Sequence, residues 1–289
     1  VQAVERVWDA GVVVVVAAGN YGNNGHFTIT SPANSRKVIT VGSITDKGTG
    51  TFFLDDFVST YSSRGPTLYD HVLKPDLLAP GNRVIAPFAN SAELGAELPA
   101  NVTCGYSSCY SSARYLQLSG TSMAASMVSG AVARMLSKDP QLNPATVKAR
   151  LMKSARKISG DPTNVGAGVL DVDSALSTSG WVWGDALSPL MVRSRDGSRM
   201  YVQNTAKLWG SNAWSSSFLW SDASLWSDGY LWADGYLWAD GYLWADAYLW
   251  STASLWSDSF LWSDSFIWSD ATLWSDYVKG NSATVDDPQ

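Results

Sequence analysis

Gly11-Val12-Val13-Val14-Val15-Val16-Ala17-Ala18-Gly19-Asn20 is an uninterrupted β-branched run that closes on small residues and an amide. With no polar residue to face water, it has the pattern of a strand buried on both faces, as in a parallel sheet covered by helices. Ligands of such sheets sit at the carboxyl ends of the strands, where Asn20 falls. A side-chain amide there is placed to donate a hydrogen bond to a developing oxyanion. Upstream, residues 1–10 read as the end of an amphipathic helix, with Val4, Val7 and Trp8 on one face and Gly11 as its stop.

Gly120-Thr121-Ser122-Met123-Ala124-Ala125 opens a second decisive element. Met123, Met127, Ala131 and Met135 recur every four positions, with Ala124, Val128 and Val132 beside them, so a helix follows. Its small apolar residues, Gly130 included, predict a central buried helix that neighbouring backbone approaches closely. A serine at such a helix start has an unpaired N–H and the positive end of the peptide dipoles near it, a geometry suited to acyl transfer. Ser and Thr also serve as plain helix caps, so these residues alone leave both readings open.

Four stretches in order resemble the subtilisin-like serine peptidases. They are Ala17-Ala18-Gly19-Asn20, Tyr61-Ser62-Ser63-Arg64-Gly65-Pro66, Lys74-Pro75-Asp76-Leu77-Leu78-Ala79-Pro80-Gly81 and Gly120-Thr121-Ser122-Met123-Ala124-Ala125. The resemblance spans residues 1–177 and implies an α/β fold, part of a three-layer helix/parallel sheet/helix domain. It implies Ser122 as the nucleophile, with the Asn20 side chain and the Ser122 N–H as oxyanion donors. Ala17, Ala18 and Gly19 would line the pocket for the residue before the scissile bond, with Thr30, Ser31 and Pro32 near its floor and Thr121 also at the substrate. The implied substrate is a protein or peptide, and the chemistry requires no cofactor.

Two departures from the family pattern stand out. Ser126 occupies the position four after the nucleophile where the family commonly has proline, a change that should leave the helix intact because proline is tolerated only in that first turn. The family's catalytic Asp and His precede the oxyanion Asn, and too few residues precede the valine run here to hold them. The expectation is a severed peptidase whose missing N-terminal half is its partner, so that this chain alone is inactive. His26 and His71 read as solvent-exposed loop histidines rather than triad members.

The chain has 289 residues, 46% of them hydrophobic, enough for a sizeable core. A net charge of −6 argues against a nucleic-acid partner. No apolar run reaches membrane-span length, and the expected location is secreted or at the cell surface, with any export signal outside this sequence. Residues 38–41 read as a second buried strand, 52–61 as loop and strand, and Val84-Ile85-Ala86 as resumed extended chain. Residues 90–112 form a polar connection whose Cys104 and Cys109 could close a local disulfide after export or remain thiols. Asn143-Pro144 opens a helix whose Lys148, Arg150 and Lys153 should form a solvated basic face. Residues 166–172 read as a turn and short strand, with Asp173 capping a last short helix.

Composition shifts after Ser177, and residues 178–208 read as a linker. Residues 209–276 carry a tryptophan every six positions from Trp214 to Trp274, eleven in all. A helix would spread successive tryptophans about 240° apart, whereas extended chain puts them on one side. The region therefore reads as a β-rich repeat, either a solenoid of stacked hexads or an irregular extension, before a disordered tail at 277–289. Nine aspartates and no basic residue fall between Lys207 and Lys279, which motivates Ca²⁺ as a ligand of the array. The competing functional reading is a non-catalytic surface or binding protein acting through these tryptophans.

Overall fold

The computed structural model describes residues 1–49, 53–89, 93–103, 115–158, 160–193 and 200–220. They form a mixed helix and sheet fold. Helix α1 (Gln2–Asp9) leads into strands β1 (Val15–Ala17), β2 (Ile39–Thr45), β3 (Phe57–Val58), β4 (Leu77–Pro80) and β5 (Val84–Pro87). Then come α2 (Glu93–Glu97), β6 (Val102–Thr103), β7 (Tyr115–Leu118), α3 (Thr121–Lys138), α4 (Pro144–Ser154), α5 (Pro162–Val165) and α6 (Val172–Ser177). The described chain closes with β8 (Met191–Arg193), β9 (Met200–Val202), α7 (Thr205–Trp209) and α8 (Ser216–Leu219).

β2 is the axis of the main sheet, and all seven of its residues are buried. β1 runs parallel to it with Ala17 opposite Val41, and β4 runs parallel with Leu77 also opposite Val41, so β1 and β4 flank β2 on opposite sides. β3 pairs antiparallel at the far end, Val58 opposite Ile44. The valine run, expected to be buried on both faces, lies instead at a sheet edge. The three β1 residues are half-buried and Val12 is 53% exposed, because no other described strand pairs with β1.

α3 lies across β1, β2 and β4. Ala124, Val128, Ala131, Val132 and Met135 form its buried stripe, in one cluster with Ile39, Val41 and Leu77. Each valine, leucine, isoleucine or methionine of the cluster contributes about 1.5–3 kcal/mol when fully buried. The helix expected to be central and buried lies across the sheet but is buried on one face only. Met127 is exposed, and a side chain at Gly130 would meet nothing among the described residues. α4 is the buried helix instead. Asn143 Oδ1 accepts from the Thr146 N–H at 2.7 Å, Pro144 opens the first turn, and every residue from Pro144 to Ala149 is buried. Its two faces serve two clusters, Val147 and Leu151 toward β2 and Ala145, Ala149 and Met152 toward Phe27, Leu73 and the tryptophans described below.

Of the basic face expected to be solvated, Lys153 is exposed and Arg150 half-buried, whereas Lys148 differs. Lys148 is fully buried, and its Nζ donates to the carbonyls of Arg36, Lys37 and Val38 at 3.0, 3.2 and 3.2 Å and to Ser188 Oγ at 2.8 Å. It also lies 3.4 Å from Asp76 Oδ1. Asp76 itself is fully buried, and its other oxygen accepts from Lys74 Nζ and from the Thr40 N–H, both at 2.7 Å. Ser188 Oγ donates to Asp76 Oδ1 at 2.6 Å. Burial alone would raise the Asp76 pKa, but the Lys148 and Lys74 ammoniums overcome it and hold the carboxyl below its usual range. Burial pushes Lys148 down to about 7 against the opposing pull of Asp76, and it depresses Lys74 as well.

Later residues continue the core. Val182, Ala186 and Ser188 are fully buried, and Trp209, Trp214, Leu219 and Trp220 join the cluster on the outer face of α4, so the stretch expected as a linker packs against the domain. Asp171, not Asp173, caps α6, accepting from the Ser174 N–H at 2.8 Å. The polar connection contains α2 and β6, while Cys104, Cys109 and the hexads beyond Trp220 lie outside the described residues.

Asp76→Asn leaves two buried ammoniums without their counter-charge and should cost about 3–5 kcal/mol in denaturant unfolding. The Lys148 shift adds a pH signature. Its folded pKa of about 7 lies below the unfolded 10.5, so the unfolded chain binds more protons between these values and stability rises with pH across that window. Lys148→Met should flatten that rise.

Candidate active site

The strand ends and the start of α3 converge. After β1, the Ala18 N–H bonds to Val41 O at 2.9 Å, and the Gly19 N–H donates to Thr121 Oγ1 at 3.2 Å. Gly19 has φ +114°, and a Cβ there would come within 2.7 Å of Ser63 Oγ and 2.9 Å of Thr30 Oγ1, so glycine is required. After β4, the Gly120 N–H donates to Gly81 O at 2.8 Å, and Tyr61 Oη donates to the same carbonyl at 3.0 Å. A Cβ on Gly81 would approach Ser43 Oγ at 2.5 Å and Gly120 O at 2.8 Å. Close backbone approach at these two strand ends holds α3 in place.

Asn20 Oδ1 accepts from the Thr121 N–H and from Thr121 Oγ1, both at 2.9 Å. Gly120 is the N-cap and carries no side chain to satisfy the first turn. A residue 101 positions away therefore caps α3, and Gly120-Thr121-Ser122 does not cap itself. Since Oδ1 is committed to Thr121, the Asn20 amide is oriented, and its Nδ2 would sit 3.1 Å from a Cβ at Gly120. Thr121 is fully buried, which fixes Ser122 as the next residue outward. Ser122 is exposed, and neither its Oγ nor its N–H takes a hydrogen bond among the described residues.

The residues expected to line a pocket sit along this approach. Ala17 is half-buried at the end of β1 and Ala18 is buried, with its carbonyl accepting from the Thr30 N–H at 3.1 Å and Thr30 Oγ1 at 3.3 Å. Ser31 is exposed and Pro32 half-buried in the turn that follows. Ser63, to which the sequence alone assigns no role, also belongs to this arrangement. Its N–H donates to Gly19 O at 2.9 Å and its Oγ accepts from the Tyr21 N–H at 3.1 Å, so it braces both sides of Gly19 and Asn20. The run of hydroxyl residues from Ser59 to Ser63 is the signal that could have found it.

Neither histidine is the exposed loop residue expected. His26 Nδ1 contacts Gly65 O at 2.8 Å and Thr163 Oγ1 at 3.1 Å, and Nε2 lies 3.8 Å from Asp161. Burial, the largest influence, lowers its pKa to about 4. His71 packs edge-on to Phe27 at 6.3 Å, and burial lowers its pKa too. α3 runs unbroken past Ser126, whose hydroxyl donates to Met123 O at 2.8 Å. Among the described residues no three His, Cys, Asp or Glu side chains gather to hold a metal, and the calcium expectation falls on the hexads outside them.

The described residues thus bring an exposed serine at a helix start and an oriented asparagine amide together beyond the end of a parallel strand. The family model described as "Subtilase family" matches residues 1–170, and the chain belongs to that family. It is 39% identical over 177 residues to serine protease AprX of Bacillus subtilis (strain 168), covering 61% of this chain and 38% of that protein. It is 34% identical over 175 residues to subtilisin DY of Bacillus licheniformis, covering 60% and 50% respectively. Among solved structures, fervidolysin from Fervidobacterium pennivorans aligns at 24% identity with a TM-score of 0.46, covering 69% of this chain and 28% of that one. The chain thus spans half or less of the length of these relatives.

Asn20→Ala removes the cap acceptor from a buried helix start and should cost about 1–2 kcal/mol in denaturant unfolding. Asn20→Asp keeps an acceptor near the positive end of the α3 dipole and should retain most of that stability.

Proposed function

We propose that this chain is the part of a subtilisin-like serine endopeptidase that carries the nucleophile Ser122 and the oxyanion donor Asn20. The observation that supports it most directly is the Asn20–Thr121 pair, which orients an amide beside an exposed serine at a helix N-terminus. Ser122 Oγ attacks the scissile carbonyl carbon and passes its proton to a histidine base held by an upstream segment. The carbonyl oxygen becomes an oxyanion, bound by Asn20 Nδ2 and the Ser122 N–H. Its collapse expels the amine, which takes the proton from the base, and water then releases the acyl group from Ser122. Ala17, Ala18 and Gly19 line the side-chain pocket, with Thr30, Ser31 and Pro32 toward its floor and Thr121 at its inner end.

The upstream segment, bearing the catalytic Asp and His, would cover the surface left open around β1 and α3. The unpaired β1 edge, the exposed Val12 and the exposed face of α3 with Ser126 and Met127 support this seat. Together the two parts would complete the helix/parallel sheet/helix sandwich. The substrate is a protein or peptide, and the working location is outside the cytoplasm; no described helix is long and apolar enough to cross a membrane. The alternative of a binding protein acting through its tryptophans rests on hexads outside the described residues, and nothing among the relatives favours it.

The test is expression with and without an upstream segment bearing Asp and His. The chain alone should leave peptide substrates uncut, and the joined protein should hydrolyse them. In the joined protein, Asn20→Ala and Asn20→Asp should each lower kcat by about 10²–10³ with little change in KM. Hydrolysis by the chain alone that disappears in Ser122→Ala would overturn this division of labour.

A further inference from the structure

The carbonyl of Gly81 takes two donors, the Gly120 N–H at 2.8 Å and Tyr61 Oη at 3.0 Å. A carbonyl oxygen has two lone pairs, so both are in use and its direction is set from two sides. Tyr61 is fully buried, and so are three hydroxyl residues behind it, Ser43, Ser59 and Thr45. Their oxygens follow one another at hydrogen-bond distance, Tyr61 Oη to Ser43 Oγ at 3.0 Å, Ser43 Oγ to Ser59 Oγ at 2.9 Å and Ser59 Oγ to Thr45 Oγ1 at 3.0 Å. Hydroxyls alone could satisfy one another in either direction. The carbonyl at the end decides it, because it can only accept and each hydroxyl has one proton. Tyr61 therefore donates to Gly81, Ser43 to Tyr61, Ser59 to Ser43 and Thr45 to Ser59.

Gly120 in turn sets where α3 begins. Its N–H is held by Gly81, and its carbonyl accepts from the N–H groups of Met123 and Ala124 at 3.0 and 3.4 Å. The residues on either side lace the same two segments together. The Arg83 N–H donates to Ser119 Oγ at 2.8 Å, and Ser119 Oγ donates to Asn82 Oδ1 at 3.1 Å. Ser122 stands in the first turn of an 18-residue helix, so a shift of Gly81 O carries its Oγ and its N–H together. We propose that Tyr61 is a positioning residue for the reaction at Ser122, its hydroxyl fixing Gly81 O and, through Gly120, the start of α3. The proposal rests on the reading of Ser122 as the nucleophile. Tyr61 touches no substrate; it acts on alignment, to which attack is steeply sensitive.

The test compares Tyr61→Phe with Ser43→Ala. The first deletes the donor to Gly81 O, whereas the second removes a buried hydroxyl from the same chain and leaves the Tyr61 proton on Gly81 O. Both should lower the unfolding midpoint. In the chain joined to an upstream segment bearing Asp and His, kcat per site titrated with a fluorophosphonate should fall about tenfold in Tyr61→Phe, with KM within about twofold. Ser43→Ala should keep kcat within about twofold of the parent. In the chain by itself, amide exchange of Gly120 read by NMR should quicken more in Tyr61→Phe than in Ser43→Ala. Equal losses of kcat in the two variants, a parental kcat per titrated site in Tyr61→Phe, or a Tyr61→Phe chain that fails to fold would overturn the positioning role and leave the reading of Ser122 intact. Cleavage that survives Ser122→Ala would overturn that reading and the proposal with it.

Discussion

The buried carboxylate of Asp76 ties β2, α4 and the segment beyond α6 to the turn ahead of β4. Its oxygens bond to Thr40 at the start of β2, to Lys74 just ahead of β4, and to Ser188 beyond α6, with the Lys148 ammonium of α4 alongside. The main chain of the same residue donates to Thr40 O and accepts from the Ala167 N–H, each at 2.8 Å. Two ammoniums against one carboxylate leave an excess positive charge in a dry interior, and the protein tolerates it by surrounding Lys148 with carbonyl oxygens and depressing its pKa. Replacing such a group by an apolar residue of similar size is often neutral or stabilising, whereas removing one partner alone is costly. The network therefore specifies where β2, β4 and α4 meet more than it adds net stability.

That meeting point determines where the site stands. Gly81, the residue after β4, bonds to Gly120, and Asn20 lies three residues beyond β1, so the two parallel strands that flank β2 converge on the first turn of α3. Glycines at 19 and 81 permit contacts that a Cβ would block. The Asn20 oxygen completes a helix that has no cap of its own, and this fixes the direction of its nitrogen.

Much of this was legible in the sequence where the signal is local. The run Val38-Ile39-Thr40-Val41 marked β2, Asn143-Pro144 marked the start of α4, and the small residues around Asn20 and Ser122 marked the two halves of the candidate site. What stayed hidden depends on partners far along the chain. Lys148 looks like a solvated charge until Arg36, 112 positions away, and Asp76 close around it. His26 reads as a loop residue until Thr163, 137 positions away, meets its ring. The valine run reads as a central strand because composition reports burial potential, not which neighbours are at hand. The first tryptophans of the hexad array look like part of a separate module, yet Trp214 and Trp220 are core residues of the domain.

The account stands most directly on Ser122 being the group that attacks. Treating the chain joined to an upstream segment bearing Asp and His with a fluorophosphonate, followed by peptide mass spectrometry, reads this at one atom. The account predicts a single stoichiometric adduct on Ser122 that is lost in Ser122→Ala. An adduct on a different residue, or none in a joined protein that still cleaves peptides, would contradict it.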